Sequence, residues 1–134
     1  FAVGVLVETA IAVAEILKEQ GLDVAVINAR FVKPLDEELL QQFAERCQLI
    51  VTLEENVIAG GFGSAALESL QRSGTIVPVQ TIGLPDRYIS QGSPEQQRED
   101  AGLSVTKIVG SITGRLKELT LRIPKESQRI KKAS

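Results

Sequence analysis

The sequence predicts an α/β domain of three layers, α/β/α, around a mainly parallel (mixed) sheet of about five strands. Short apolar runs at residues 23–28, 49–53 and 77–82 alternate with longer stretches of helical periodicity. Glycine or proline stands at the junctions, at Gly21, Pro34, Gly74, Gly83 and Pro85. The chain of 134 residues, 43% hydrophobic and 24% charged, suits one globular domain with a real core.

Taken in order, Phe1-Ala2-Val3 reads as a strand entered midway, and the chain is expected to be a piece of a longer protein. Val7, Ala10, Ile11, Ala14 and Leu17 follow helical spacing, and Gly21 can take the left-handed conformation that closes a helix. Residues 23–28 read as a mostly buried strand around Val24, Ala25, Val26 and Ile27. Pro34 breaks the chain, and Asp36 is an N-cap candidate for a helix over residues 37–46. Residues 49–53 form the next strand. A helix follows over residues 61–72, with Phe62, Ala66, Leu67 and Leu70 on one side and Gly74 at its end. Residues 77–82 are a further strand, and residues 83–87 a loop. Ser93-Pro94 has the order of an N-cap followed by a first-turn proline. Ser104 precedes the last helix, whose stripe is Val105, Ile108, Val109, Ile112, Leu116 and Leu119. The domain spans residues 1–120, and residues 121–134 form a basic tail expected to be flexible.

Composition excludes several chemistries. The chain has no histidine, which removes His-based triads, His metal sites and imidazole general bases. Its one cysteine, Cys47, cannot close an internal disulfide and is expected to be a buried, inert thiol. No apolar run approaches the roughly 20 residues of a membrane helix. Net charge is −2, unevenly placed: the tail has five bases (Arg122, Lys125, Arg129, Lys131, Lys132) and one acid (Glu126). It offers no aromatic stacker and no long amphipathic run, so a solvated extension is expected, with no nucleic-acid or membrane partner.

Four local patterns carry possible chemistry. Gly61-Phe62-Gly63-Ser64-Ala65-Ala66 fits G-x-G-x-x-A, with Asp86 as a distant acid, but a dinucleotide loop follows its strand at once. Here residues 55–60 intervene and nearby acids would repel phosphate, so close backbone packing at a helix entry is the favoured reading. Glu54 and Glu55 suggest paired carboxylates, but neighbours on a strand point to opposite faces. They are instead expected to meet a neighbouring domain or a helix N-terminus. Asp86-Arg87 suits either contact with an adjacent domain or anionic ligand, or a local turn or salt bridge. Gly110 and Gly114, one turn apart, read as ordinary packing.

Several segments together resemble the C-terminal domain of the transketolase family, and within it the 1-deoxy-D-xylulose-5-phosphate synthases. They are Asn28-Ala29-Arg30-Phe31-Val32-Lys33-Pro34-Leu35-Asp36; Glu54-Glu55-Asn56 with Gly60-Gly61-Phe62-Gly63-Ser64; Gly83-Leu84-Pro85-Asp86-Arg87-Tyr88-Ile89 with Gly92; and Ala101-Gly102-Leu103. The resemblance implies a three-domain homodimer whose upstream domains bind thiamin diphosphate and Mg2+. It implies a transferase that joins pyruvate to glyceraldehyde 3-phosphate, at the entry to non-mevalonate isoprenoid biosynthesis. No catalytic, cofactor or metal residue carries over onto this chain, which would be non-catalytic by itself. Its partners would be the upstream domains and a second subunit. The interface candidates are Glu54, Glu55, Asn56, Gly60, Gly61, Phe62, Gly63, Asp86 and Arg87. The compartment implied is the plastid stroma in a plant or the cytoplasm in a bacterium.

Two positions depart from that pattern. Val5 stands where a Ser or Thr is usual, which removes a hydroxyl cap from the first helix. Gln91 stands where a His is usual, and an amide cannot become cationic or shuttle protons. The alternatives are therefore an inactive paralogue, another transketolase-like or pyruvate dehydrogenase beta-type subunit, or a stand-alone interaction module.

Overall fold

The structure, a computed structural model, describes residues 1–86 and 91–122. Its elements are α1 (Leu6–Glu19), α2 (Glu37–Ala44), β1 (Ile50–Val57), α3 (Phe62–Ser73), β2 (Val79–Leu84), α4 (Pro94–Asp100) and α5 (Val105–Arg122). Strands β1 and β2 pair in parallel from Ile50 opposite Val79 to Leu53 opposite Ile82, then irregularly to Val57 opposite Leu84. Ala2 bridges in parallel to both Asn28 and Leu53. Across the sheet the order is therefore residues 27–29, residues 1–3, β1, β2.

Helices cover both faces. On one side α1 and α5 enclose Leu6, Ala10, Val13, Leu17, Leu53, Leu103, Ile108 and Ile112. On the other, α2 and α3 enclose Leu40, Ala44, Ile50, Ala66 and Leu70. The three-layer α/β architecture is as expected. The sheet is smaller: two strands and two single-bridge segments rather than about five strands, with every pairing among the described residues parallel. Residues 23–28 are exposed or half-buried instead of mostly buried. They lie at the sheet margin, where only the Ala2 bridge pairs them and no ladder forms.

Strand β1 runs four residues further than expected, so Glu54 and Glu55 sit within it. Strand β2 starts and ends two residues later than expected, because Gly83 and Leu84 continue beside β1 and the Leu84 carbonyl accepts from the Ile58 amide at 3.2 Å.

The helix ends follow their sequence signals. The Asp36 carboxylate accepts from the Leu39 amide at 3.0 Å. Ser93 and Gln96 form a reciprocal capping box with Pro94 in the first turn. Gly21 (φ 83°) and Gly74 (φ 72°) close α1 and α3 in the left-handed conformation. Val5 makes no side-chain cap, so α1 starts on backbone bonds alone, from the Leu6 and Val7 amides to the Val3 and Gly4 carbonyls. The buried stripe of α1 is Leu6, Ala10, Val13 and Leu17, with Ile11 exposed. Both candidate stripes are apolar at helical spacing, and contact with the sheet and α5 selects this one. Leu67 is likewise exposed on α3. Cys47 is half-buried rather than buried, beside Phe43 in the α2/α3 cluster. The tail beyond residue 122 lies outside the described residues, and α5 continues through Arg122.

Candidate functional site

Strand alternation in β1 sets the geometry of its carboxyl end. Ile50, Thr52 and Glu54 face α2 and α3, whereas Val51 and Leu53 face α1 and α5. Glu54 is fully buried, 0% exposed. Its Oε2 accepts from the Phe62 amide at 2.7 Å and its Oε1 from the Gly63 amide at 2.8 Å. One carboxylate thus satisfies two of the amides that a helix start leaves unpaired, at the positive end of the α3 dipole. Glu55 points the other way, exposed, and pairs with Arg98 Nε of α4 at 3.4 Å.

Glycines make the room. A Cβ on Gly61 would collide with the Glu54 carboxylate. On Gly63 it would stand 2.8 Å from Thr52 Oγ1 and press on Thr81. On Gly83 it would lie 2.8 Å from the Asn56 carbonyl and 3.0 Å from Glu54 Cγ. The connecting loop is tied by Ser64, whose hydroxyl donates to the Ile58 carbonyl and accepts from the Gly60 amide, both at 3.0 Å. Thr52 Oγ1 is buried without a hydrogen-bond partner among the described residues.

This arrangement decides the G-x-G-x-x-A pattern. Gly61 and Gly63 allow close backbone packing, and the helix N-terminus that a phosphate would use holds the Glu54 carboxylate instead. Among the described residues no cluster of three or more Cys, Asp or Glu could hold a metal ion. The described residues therefore fit neither a diphosphate nor its divalent metal at this place.

Of the candidate interface residues, Glu54, Phe62 and Gly63 are buried inside the chain and Gly61 is half-buried. Glu55, Asn56, Gly60 and Asp86 are exposed, and Arg87 lies outside the described residues. Gly110 and Gly114 are exposed, with nothing near where a Cβ would project.

The exposed members share one rim with three apolar residues that were not among the interface candidates. Val5 is 58% exposed, Phe31 67% and Val57 40%. Each lies three or four residues beyond the register shared by Ala2, Asn28 and Leu53, so all three leave the carboxyl ends of adjacent parallel segments. The available signal was the rule that functional loops of an open α/β sheet follow the strand carboxyl ends.

The model of the transketolase C-terminal domain matches residues 1–108. The chain belongs to the transketolase C-terminal domain family. Within the family, a protein from Desulforudis audaxviator named 1-deoxy-D-xylulose-5-phosphate synthase is 53% identical over 109 residues, covering 81% of this chain and 17% of that protein. A protein of the same name from Microcystis aeruginosa is 47% identical over 109 residues, with the same coverage of 81% and 17%. A solved structure described as a split gene transketolase, inactive beta4 tetramer, superposes with a TM-score of 0.80 at 31% identity, covering 90% of this chain and 38% of that one. The chain thus spans about a sixth of the length of these curated relatives. No helix among the described residues is long and apolar enough to cross a membrane.

Proposed function

We propose that this chain is the C-terminal domain of a 1-deoxy-D-xylulose-5-phosphate synthase and serves its assembly. The complete enzyme would be a homodimer using thiamin diphosphate and Mg2+, joining pyruvate to glyceraldehyde 3-phosphate with release of carbon dioxide. The observation that carries this reading is the 53% identity to a relative of that name. Both cofactors belong to upstream domains in this reading, and no step of the reaction is assigned here. The domain's contribution is a docking rim at the sheet's carboxyl edge, where Glu55, Asn56, Gly60 and Asp86 sit with Val5, Phe31 and Val57. Glu54, Phe62 and Gly63 act from beneath it, holding the β1–α3 loop in shape.

Two measurements on the full-length parent test this. Deoxyxylulose phosphate formation from pyruvate and glyceraldehyde 3-phosphate, with thiamin diphosphate and Mg2+, is expected. Phe31→Asp and Glu55→Lys are expected to weaken dimerisation in sedimentation; if both leave sedimentation and activity unchanged, the docking rim is wrong.

A second reading is a diverged paralogue that keeps the domain for assembly only. It is favoured by Val5, which leaves α1 without a side-chain cap, and by Gln91. A folded dimer that forms no product would select it.

A further inference from the structure

Helix α4 stands apart from the rest of the molecule. Residues 91–100 are all exposed, and α4, which lies within them, buries no side chain. Three residues beyond its end, Leu103 is 1% exposed and belongs to the α1/α5 core. A helix of seven residues is too short to persist on propensity. Its sequence, Pro94-Glu95-Gln96-Gln97-Arg98-Glu99-Asp100, is also polar all round, so no apolar face holds it down.

Its support comes from its two ends. At the amino end the Gln96 amide donates to Ser93 Oγ at 3.2 Å, and the Ser93 amide to Gln96 Oε1 at 3.1 Å. At the carboxyl end the Leu103 amide donates to the Arg98 carbonyl at 2.7 Å, and the Gly102 amide to the Glu99 carbonyl at 3.0 Å. With Gly102 at φ 76°, this is a Schellman closure. The backbone of α4 is thus satisfied within residues 93–103, and releasing it from the sheet would uncover no core side chain of its own.

Two ion pairs reach outward from it. Glu99 Oε1 lies 3.8 Å from Lys107 Nζ, within the corner between α4 and α5. Arg98 Nε lies 3.4 Å from Glu55 Oε1, across 43 residues of sequence, and ties α4 to the end of β1. Arg98 is the single base of α4 beside three acids, so it alone makes this helix attractive to Glu55. The pair is open to water, with side chains 44% and 43% exposed, and is therefore readily exchanged for another.

We propose that α4 is a strap and Arg98 an internal mask, which holds the Glu55 carboxylate until a basic side chain of a second subunit takes its place. The inference rests on the docking rim described above, of which Glu55 is a charged member. A subunit that docks there meets Glu55 with a guanidinium already on it. To use that carboxylate it must supply a cation of its own, and Arg98 shows the kind of group the position accepts. One exposed ion pair is then exchanged for another. Arg98 sets a threshold for assembly rather than a block, because such a pair changes an equilibrium by no more than about fivefold.

The test uses the full-length parent with Arg98→Gln, Glu55→Gln and the two combined. Amide hydrogen exchange at residues 97–103 reads the strap, with residues 108–112 of α5 as reference. Both single variants are expected to speed exchange in the strap by about two- to fivefold and to leave the reference unchanged. Sedimentation reads assembly. Arg98→Gln is expected to tighten the dimer by about two- to fivefold and Glu55→Gln to weaken it. The combined variant should match Glu55→Gln alone, since Arg98 acts through Glu55. Strap exchange that Arg98→Gln leaves unchanged overturns the proposal. So does a dimer that Arg98→Gln weakens or leaves alone while Glu55→Gln weakens it; the rim would then stand without the mask. A dimer indifferent to Glu55→Gln overturns both the mask and the part of the rim on which it rests.

Discussion

At the carboxyl end of the sheet, one buried side chain, Glu54, satisfies two backbone amides of α3; at the amino end, residues 23–26 satisfy none of theirs among the described residues. The difference lies in the shape of the demand. A helix start presents a compact set of donors that one carboxylate can reach. A strand edge presents donors and acceptors spread over many ångströms, which only another backbone can match. The first end is closed by sequence at one position, and the second is left unmatched among the described residues.

The largest expected effect comes from opening the closed end. Glu54→Ala leaves two buried amides without an acceptor and removes the favourable charge at the α3 dipole. It should lower unfolding stability by on the order of 3 kcal/mol, read from the denaturant midpoint. Glu54→Gln, which keeps an acceptor, should cost less; an equal loss would mean that charge dominates over hydrogen bonding. Gly63→Ala should follow at about 1–3 kcal/mol, because its Cβ meets Thr52 and Thr81.

Smaller still, Thr52→Val should stabilise by about 1 kcal/mol, since the buried hydroxyl has no partner to lose. The smallest effect belongs to Glu55→Lys. Its partner Arg98 is exposed, so the isolated chain should change by under about 0.5 kcal/mol while assembly of the parent weakens. A large stability loss there would make Glu55 a structural residue and remove the contrast with Glu54.

Much of the fold was legible because its signals are local. Asp36, Ser93, Gly21 and Gly74 each mark a helix end through their own side chain or backbone freedom, and each does so in the structure. The opposite facing of Glu54 and Glu55 followed from strand alternation. What the sequence hid depends on non-local pairing. Residues 23–28 have the apolar composition of a strand, but a strand exists only where neighbours complete it. The α1 stripe was displaced because two apolar faces were available and only packing could choose. Gly83 looked like a loop glycine, and its role as space for Glu54 emerges only when β2 lies beside β1. The rim residues Val5, Phe31 and Val57 are far apart in sequence and converge through the parallel register alone.

The adjacent acids of β1 also bear on how faithfully the chain folds. The backbone ladder between β1 and β2 could in principle form one residue out of step, and the peptide groups would barely distinguish the two alignments. The side chains distinguish them sharply. A single-residue slip would swing Glu54 away from α3 into the apolar space beneath α1 and α5, and put Glu55 where only one carboxylate is accommodated. The first change strands a charge in the interior, a penalty of several kcal/mol, even though Glu55 then fills the seat at α3. Glu54 thus works as an alignment mark, telling a nearly symmetric ladder which of its alternatives is native.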